Sequence, residues 1–275
     1  MVLTSEDMEF RDRTVVISGA ARGQGLSHAL EFARRGANLV LIDAPPAMST
    51  VPYALSTEEE LREAERLVSE AGPGRVLYLA ADVRDSEALK TAIDGVAREL
   101  SGIDVVVANA GVFSFAENTW SIPVDTWREC VDTILLGSWA LASACVPHMI
   151  GREGANLIFI GSVSAHKGIG ATAHYVAAKH GVVGLMRSLA IELAPHAIRS
   201  NLVSPTATRT MMSTNPAMAE CVRFQEASGS DMSNLLPVDM LEPKDVTDAV
   251  VWVASPSARY MTGSEIRVDA GFTTR

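Results

Sequence analysis

The sequence predicts a single α/β domain over residues 1–275, built as a doubly wound, seven-stranded parallel sheet with helices on both faces. Three observations predict it. Seven short runs are almost continuously apolar, as strands covered on both faces must be. Helical patterns fill the gaps between them, which implies right-handed β–α–β crossovers. A glycine-rich turn directly follows the first run, where an open α/β sheet places its ligand.

Taken in order, the strands are "TVVISG" (14–19), "NLVLID" (38–43), "RVLYLAAD" (75–82), "IDVVVANAG" (103–111), "NLIFIGS" (156–162), "IRSNLVS" (198–204) and "EIRVD" (265–269). After the first strand, a helix is expected to start near Gly25. Thr57 and Glu60 form a capping box that opens "EEELREAERLVSEAG", and Gly72 ends that helix. A further helix is expected to start near Ala173, and Pro243 suits the first turn of "KDVTDAVVWVAS". Two stretches exceed the minimal pattern. One is an insertion, 44–56, "APPAMSTVPYALS"; the other is a long irregular segment, 205–241, which holds five of the eleven methionines. Long segments beyond strand C-termini are where such sheets bind ligands.

Composition excludes several classes. The chain is 48% hydrophobic and 20% charged, enough for a large core. A net charge of −10 argues against a nucleic-acid partner. Cys130, Cys145 and Cys221 are scattered, so neither a disulfide framework nor a metal site is expected, and a cytoplasmic setting fits. The N-terminal "MVLTSEDMEFRDR" has no apolar run and does not read as a signal peptide. Residues 133–151 lack any charged side chain over a length that could span a bilayer. Pro147, His148 and the flanking strands favour a helix buried at a subunit interface over a membrane span.

The turn "SGAARGQG" carries Gly19, Gly23 and Gly25, which let the backbone approach a pyrophosphate resting on a helix N-terminus. Asp43 ends the next strand, 24 residues beyond Gly19. A carboxylate there accepts hydrogen bonds from a ribose and repels a 2′-phosphate, favouring NAD over NADP. Arg22 is a countersignal, since a basic residue in this turn could meet such a phosphate. Asp82 reads either as a ligand of the adenine amino group or as a helix cap before "RDSEAL". Asn109 reads either as a tie between strands or as a contact residue.

Tyr175 and Lys179 are four apart on one helical face, and Ser162 lies thirteen residues earlier. Together with "SGAARGQG", "NAG", "YVAAK", "SPTATRT" and "TGSEIRVDAG", this arrangement resembles the short-chain dehydrogenase/reductase family over nearly the whole chain. The resemblance implies a Rossmann-type fold and an NAD-dependent alcohol dehydrogenase. Tyr175 would take the alcohol proton, its pKa lowered by Lys179 and the nicotinamide, and Ser162 would hold the substrate oxygen. It implies cofactor contacts from Gly19, Arg22, Gly23, Gln24, Gly25, Asp43, Asp82, Val83, Asn109, Ala110, Gly111, Tyr175, Lys179, Pro205, Thr208 and Thr210, and no metal. "AARGQG", the insertion, "HYVAAKHGVVGLMR", "ELAP" and "LPVDMLEP" are similar to the mycofactocin-associated branch that includes carveol dehydrogenase-like proteins. That similarity implies a small apolar, terpenoid-like secondary alcohol or ketone as substrate. It also implies NAD held under the insertion, an external redox partner and a homotetramer.

The pattern breaks at two points. Ile134 stands where the family's "NxxG" places an Asn that holds a water for the lysine, which leaves Thr133 or a backbone carbonyl to take over, or a slower proton release. Thr206 stands where glycine is common. His174 and His180 read as packing or capping residues. His166 and Lys167 read either as pocket lining or as solvent-exposed. Met211, Met212, Met218 and Met232 read either as an adaptable apolar lid or as ordinary burial. Trp120 and Trp139 read as core or interface. A non-catalytic NAD-binding sensor or scaffold is the competing class, and an epimerase or dehydratase on the same fold is a third.

Overall fold

In the computed structural model, residues 8–43 and 48–274 are described; residues 1–7 and the first four positions of the insertion lie outside them. The strands are β1 (Thr14–Ser18), β2 (Asn38–Asp43), β3 (Val76–Ala80), β4 (Val105–Ala108), β5 (Asn156–Ile160), β6 (Arg199–Pro205) and β7 (Glu265–Val268). They form one parallel sheet in the order β3-β2-β1-β4-β5-β6-β7. The order reverses between β1 and β4, so a crevice opens there beyond the strands' carboxyl ends.

Side-chain alternation divides the core into two layers. Val15 and Ile17 of β1, Val105 and Val107 of β4, and Ile158 and Ile160 of β5 face one layer. That layer is closed by α1 (Gly23–Arg34), α2 (Glu58–Ala71) and α8 (Pro243–Ala254), through Phe32, Leu61 and Val250 among others. Val16, Val106, Leu157 and Phe159 face the other layer. It is closed by α3 (Ser86–Glu99), α4 (Val124–Val131), α5 (Gly137–Cys145) and α6 (Ala173–Leu193), through Leu89, Leu141 and Val182 among others. β1, β4 and β5 are therefore apolar on both faces, which is why their sequences show no polar alternation.

The helix ends follow local chemistry. Thr57 Oγ1 accepts from Glu60 N while Glu60 Oε2 accepts from Thr57 N, closing the expected capping box. Gly72 ends α2 in extended backbone, not in a left-handed turn. Its lack of a side chain is required because a Cβ would overlap the carbonyl of Ala33. Helix α8 has Pro243 in its first turn and a Glu242–Asp245 reciprocal cap.

Three expectations change. Strands β1, β3, β4 and β5 stop one to three residues earlier than their apolar runs, because Gly19, Asp82, Asn109–Gly111 and Ser162 peel off the sheet to form the crevice. Helix α1 begins at Gly23, two residues before Gly25. Segment 205–241 is not wholly irregular: it contains α7 (Pro216–Ala227), capped by Asn215 Oδ1 accepting Met218 N at 3.0 Å.

The charge-free stretch belongs to a continuous helical run, Val124–His148, with α4 (Val124–Val131) and α5 (Gly137–Cys145) joined by a π-helical turn, Asp132–Leu136. It is the one helical run among the described residues long and apolar enough to cross a membrane. Its most apolar stretch is more than half buried, and it packs on α3 and β4 as a core helix. Trp139 is 47% exposed and Trp120 is 89% exposed, so neither belongs to the core.

Candidate active site

One cavity of about 910 Å³ spans the crevice. Gly19 and Gly23 adopt φ of +66° and +59°, a left-handed backbone that favours glycine. Gly25 sits on α1 where a Cβ would overlap the carbonyl of Gly19, so the helix N-terminus packs directly on the turn. Asn109 Nδ2 donates to Ser18 O (2.9 Å) and Gly19 O (3.1 Å), while the amides of Asn109 and Ala110 donate to Ser18 Oγ. Asn109 therefore ties β4 to β1 and also lines the cavity.

Asp43 closes β2 with its carboxylate over the turn: Oδ2 accepts from Ala21 N at 2.9 Å and Oδ1 from Ser56 Oγ at 2.6 Å. Arg22 turns toward the insertion, donating to Ala54 O and pairing with Glu60 at 3.5 Å. Its charge is thus balanced by Glu60, which weakens it as a countersignal. Gln24 lines the cavity with its buried Oε1 lacking a protein partner. Asp82 accepts from the backbone and guanidinium of Arg84, and these bonds hold its carboxyl below its ordinary range against the opposing effect of burial. Asp82 is not the cap of the next helix. Asp85 caps α3, its Oδ1 accepting Ala88 N at 3.0 Å. Val83 follows Asp82 into the cavity wall and packs on Gly137, where any side chain would collide with it.

At the other end, Ser162 leaves β5 and Tyr175 and Lys179 rise from α6, all three lining the cavity. Tyr175 hydrogen-bonds with Ser162, whose Oγ also accepts Ser164 N at 3.1 Å. Burial pushes the Tyr175 phenol well above its ordinary value, and the bond to Ser162 only partly opposes this. Burial also depresses Lys179 to about 8. Lys179 Nζ lies 5.7 Å from the Tyr175 ring centroid and donates to Ile160 O at 2.8 Å. Burial is therefore the largest influence on the phenol, ahead of any charge the protein places near it.

Ile134 is buried in the π-helical turn, with its side chain beside Gly111. Thr133 gives its hydroxyl hydrogen to Glu129 O at 2.7 Å, a bond within its own helix. Lys179 meets a backbone carbonyl directly, that of Ile160, while the Thr133 hydroxyl is spent on Glu129 O. Pro205, Thr208 and Thr210 all line the cavity. Thr208 donates to Thr206 O, which leaves the Thr208 oxygen as an acceptor. Thr210 packs over Gly23, so the segment after β6 closes on the glycine turn.

The bland readings divide. His174 is a packing residue, buried with Nε2 against Ser114 Oγ at 2.9 Å. His180 is exposed and hydrogen-bonds Val176 O. His166 pairs with Glu265, and Lys167 lies over the Phe272 ring, so neither lines the cavity. Met211, Met212, Met218 and Met232 do line it, joined by Met48 and Met240.

Sequence reasoning missed three residues here. Tyr53, from the insertion, reaches the cavity with Oη accepting Phe113 N at 3.0 Å. Phe113 packs edge-on against Tyr175, ring centroids 5.1 Å apart. Cys130, on α4, is a buried thiol that burial pushes up to about 12 and whose Sγ donates to Val112 O. No spacing rule connects these positions, because they meet only across the crevice.

Comparison with known proteins agrees with this geometry. A family model described as "Enoyl-(Acyl carrier protein) reductase" matches residues 19–273. The (−)-trans-carveol dehydrogenase of Rhodococcus erythropolis is 40% identical over 272 residues, covering 96% of this chain and 98% of that one. The crystal structure of carveol dehydrogenase from Mycobacterium avium in complex with NAD superposes with a TM-score of 0.91 at 37% identity, covering 97% of this chain and 99% of that one. A short chain dehydrogenase from Mycobacterium paratuberculosis bound to NAD also gives a TM-score of 0.91, at 35% identity, covering 97% of this chain and 100% of that one. The seven-stranded sheet, the glycine turn and the matched chain length together place this chain in the short-chain dehydrogenase/reductase family.

Proposed function

We propose that the protein is an NAD-dependent dehydrogenase that interconverts an apolar secondary alcohol and its ketone, with Tyr175 as acid and base. The observation that carries this reading is the meeting of Ser162, Tyr175 and Lys179 in one cavity with the glycine turn and Asp43. The residues present fit a dinucleotide. The turn is held open by glycines, Gln24 Oε1 is a buried acceptor lacking a protein partner, and Asp43 stands where ribose hydroxyls would donate. The pairing of Arg22 with Glu60 supports NAD over its 2′-phosphorylated form.

When bound, NAD supplies the hydride acceptor. Tyr175 Oη removes the alcohol's hydroxyl proton during oxidation and returns it during reduction. Ser162 holds the same oxygen and stabilises its developing charge. A phenolate forms in this buried setting only when positive charge is brought beside it, and Lys179 at about 8 is a weakly held charge on its own. Thr208, with its hydrogen committed to Thr206 O, is poised to accept from a carboxamide. Six methionines line the cavity, an adaptable apolar surface suited to a hydrocarbon-like alcohol of the carveol kind.

The proposal extends to a homotetramer, supported by exposed Leu136 and Trp139 on the α4–α5 run. A cytoplasmic setting is supported by three free, buried cysteines. An external redox partner of the mycofactocin type rests on the branch resemblance and on the tethered insertion. The test is to denature extensively dialysed protein, identify any nucleotide released, and then assay trans-carveol with free NAD and with artificial electron acceptors. Bound NAD or NAD-dependent oxidation supports the reading. Recovery of NADP overturns the role given to Asp43, and no alcohol oxidation under either condition overturns the activity.

A further inference from the structure

The insertion does more than border the cavity. Met48, Tyr53, Leu55 and Ser56 all line it. The insertion is fastened at four points: Ala54 to Arg22, Ser56 to Asp43, Thr50 to the carboxylate of Glu129 on α4, and Tyr53 to the amide of Phe113. Only the last of these reaches the reaction end. Burial pushes the Tyr53 phenol up to about 12, so it stands there as a neutral hydroxyl. The Phe113 amide donates into Tyr53 Oη, so the phenolic hydrogen has no acceptor among the described residues and faces a cavity that takes ligand. Phe113 in turn sets its ring edge-on against Tyr175.

We propose that Tyr53 is a positioning residue for the reaction: through the Phe113 backbone it sets the ring that packs against Tyr175, and it offers a second phenolic donor to the bound ligand. The insertion thereby completes the reaction centre as well as covering it. This inference rests on the proposed dehydrogenase activity. A strap that only retained cofactor would need its outer fastenings at Asp43 and Glu129. It would have no need to hydrogen-bond the residue that buttresses the catalytic phenol.

The test uses full-length protein with Tyr53→Phe, which keeps the ring and removes only the hydroxyl, and with Phe113→Leu. NAD binding is measured by titration, and trans-carveol oxidation by kcat, KM and a pH–rate profile. The expected result is a roughly ten-fold fall in kcat for Tyr53→Phe, with NAD affinity changed by less than about three-fold. The pH–rate profile should move as well. The double variant should lose little beyond the larger single loss, because both changes act on one contact chain. Weakened NAD binding with kcat and the pH profile unchanged overturns the proposal and leaves the insertion as a cover. Unchanged kinetics overturn it too. Failure of the wild-type protein to oxidise the alcohol tells against the dehydrogenase reading, a result separable from any difference among the variants.

Discussion

The turn at Gly19–Gly25 and the segment from Pro205 to Leu241 close on the same cavity, but they are built from different materials. The turn is backbone: two left-handed glycines, a helix N-terminus pressed on a carbonyl, and an Asn that laces two strands. The far segment is side chain: a short capped helix and methionines with many rotamers. A backbone site is defined to within an atom and recognises a constant group. A side-chain site adapts, and suits a substrate that varies between relatives.

That contrast predicts unequal tolerance. Gly25→Ala places a methyl against the Gly19 carbonyl, so the turn must shift; we expect a loss of about 1–3 kcal/mol in stability and the collapse of NAD binding. The parallel change Met212→Leu in the far segment should leave both nearly untouched. Chemical denaturation and an NAD titration on the two variants check the pair, and equal losses would break the distinction.

A smaller effect separates charge from shape at the same end. Asp43→Asn keeps the volume but removes the charge that Ala21 N and Ser56 Oγ meet. NAD affinity should fall about ten- to a hundred-fold while discrimination against NADP shrinks, as competitive titrations with both nucleotides would show.

A pH-dependent effect concerns stability alone. His28, on α1 beneath the glycine turn, is fully buried and its pKa is lowered to about 3 by burial. Thr247 gives its hydrogen to Pro243 O, so His28 Nδ1 at 2.8 Å is the donor to Thr247 Oγ1, and buried Nε2 lacks a partner. The folded state prefers the neutral ring. Its contribution is therefore complete above the unfolded value of 6.5 and is lost as pH falls from there toward about 3. The expected slope is about 1.4 kcal/mol per pH unit below that value. His28→Gln should flatten the difference in urea midpoints between about pH 7 and about pH 5, and identical slopes in the two proteins would contradict it.

The same contrast explains what could be read in advance. The glycine turn and the Thr57 cap were legible because each depends on neighbouring residues with one conformational use. The sheet was legible because its central strands β1, β4 and β5 are apolar on both faces. The strand ends were overextended because Gly19 and Asn109–Gly111 continue an apolar run while their backbone leaves the sheet. Asp82 and Asp85 both precede α3, and only geometry distinguishes the residue that caps it from the one that holds Arg84. Tyr53 was illegible because its partner Phe113 is 60 residues away and the two meet only when the insertion folds over the crevice. The raised Tyr175 pKa was likewise invisible, since it follows from burial depth and not from the nearness of Lys179 in sequence.

The central claim is that Tyr175 performs the proton transfer in a cavity whose other end holds NAD. Its most direct test is Tyr175→Phe, assayed for NAD affinity and for turnover of a cyclic secondary alcohol in one preparation. Turnover should fall by about 10²–10⁴-fold, while NAD affinity stays within about three-fold of wild type. Turnover retained in the phenylalanine variant, with NAD still bound, would contradict the account.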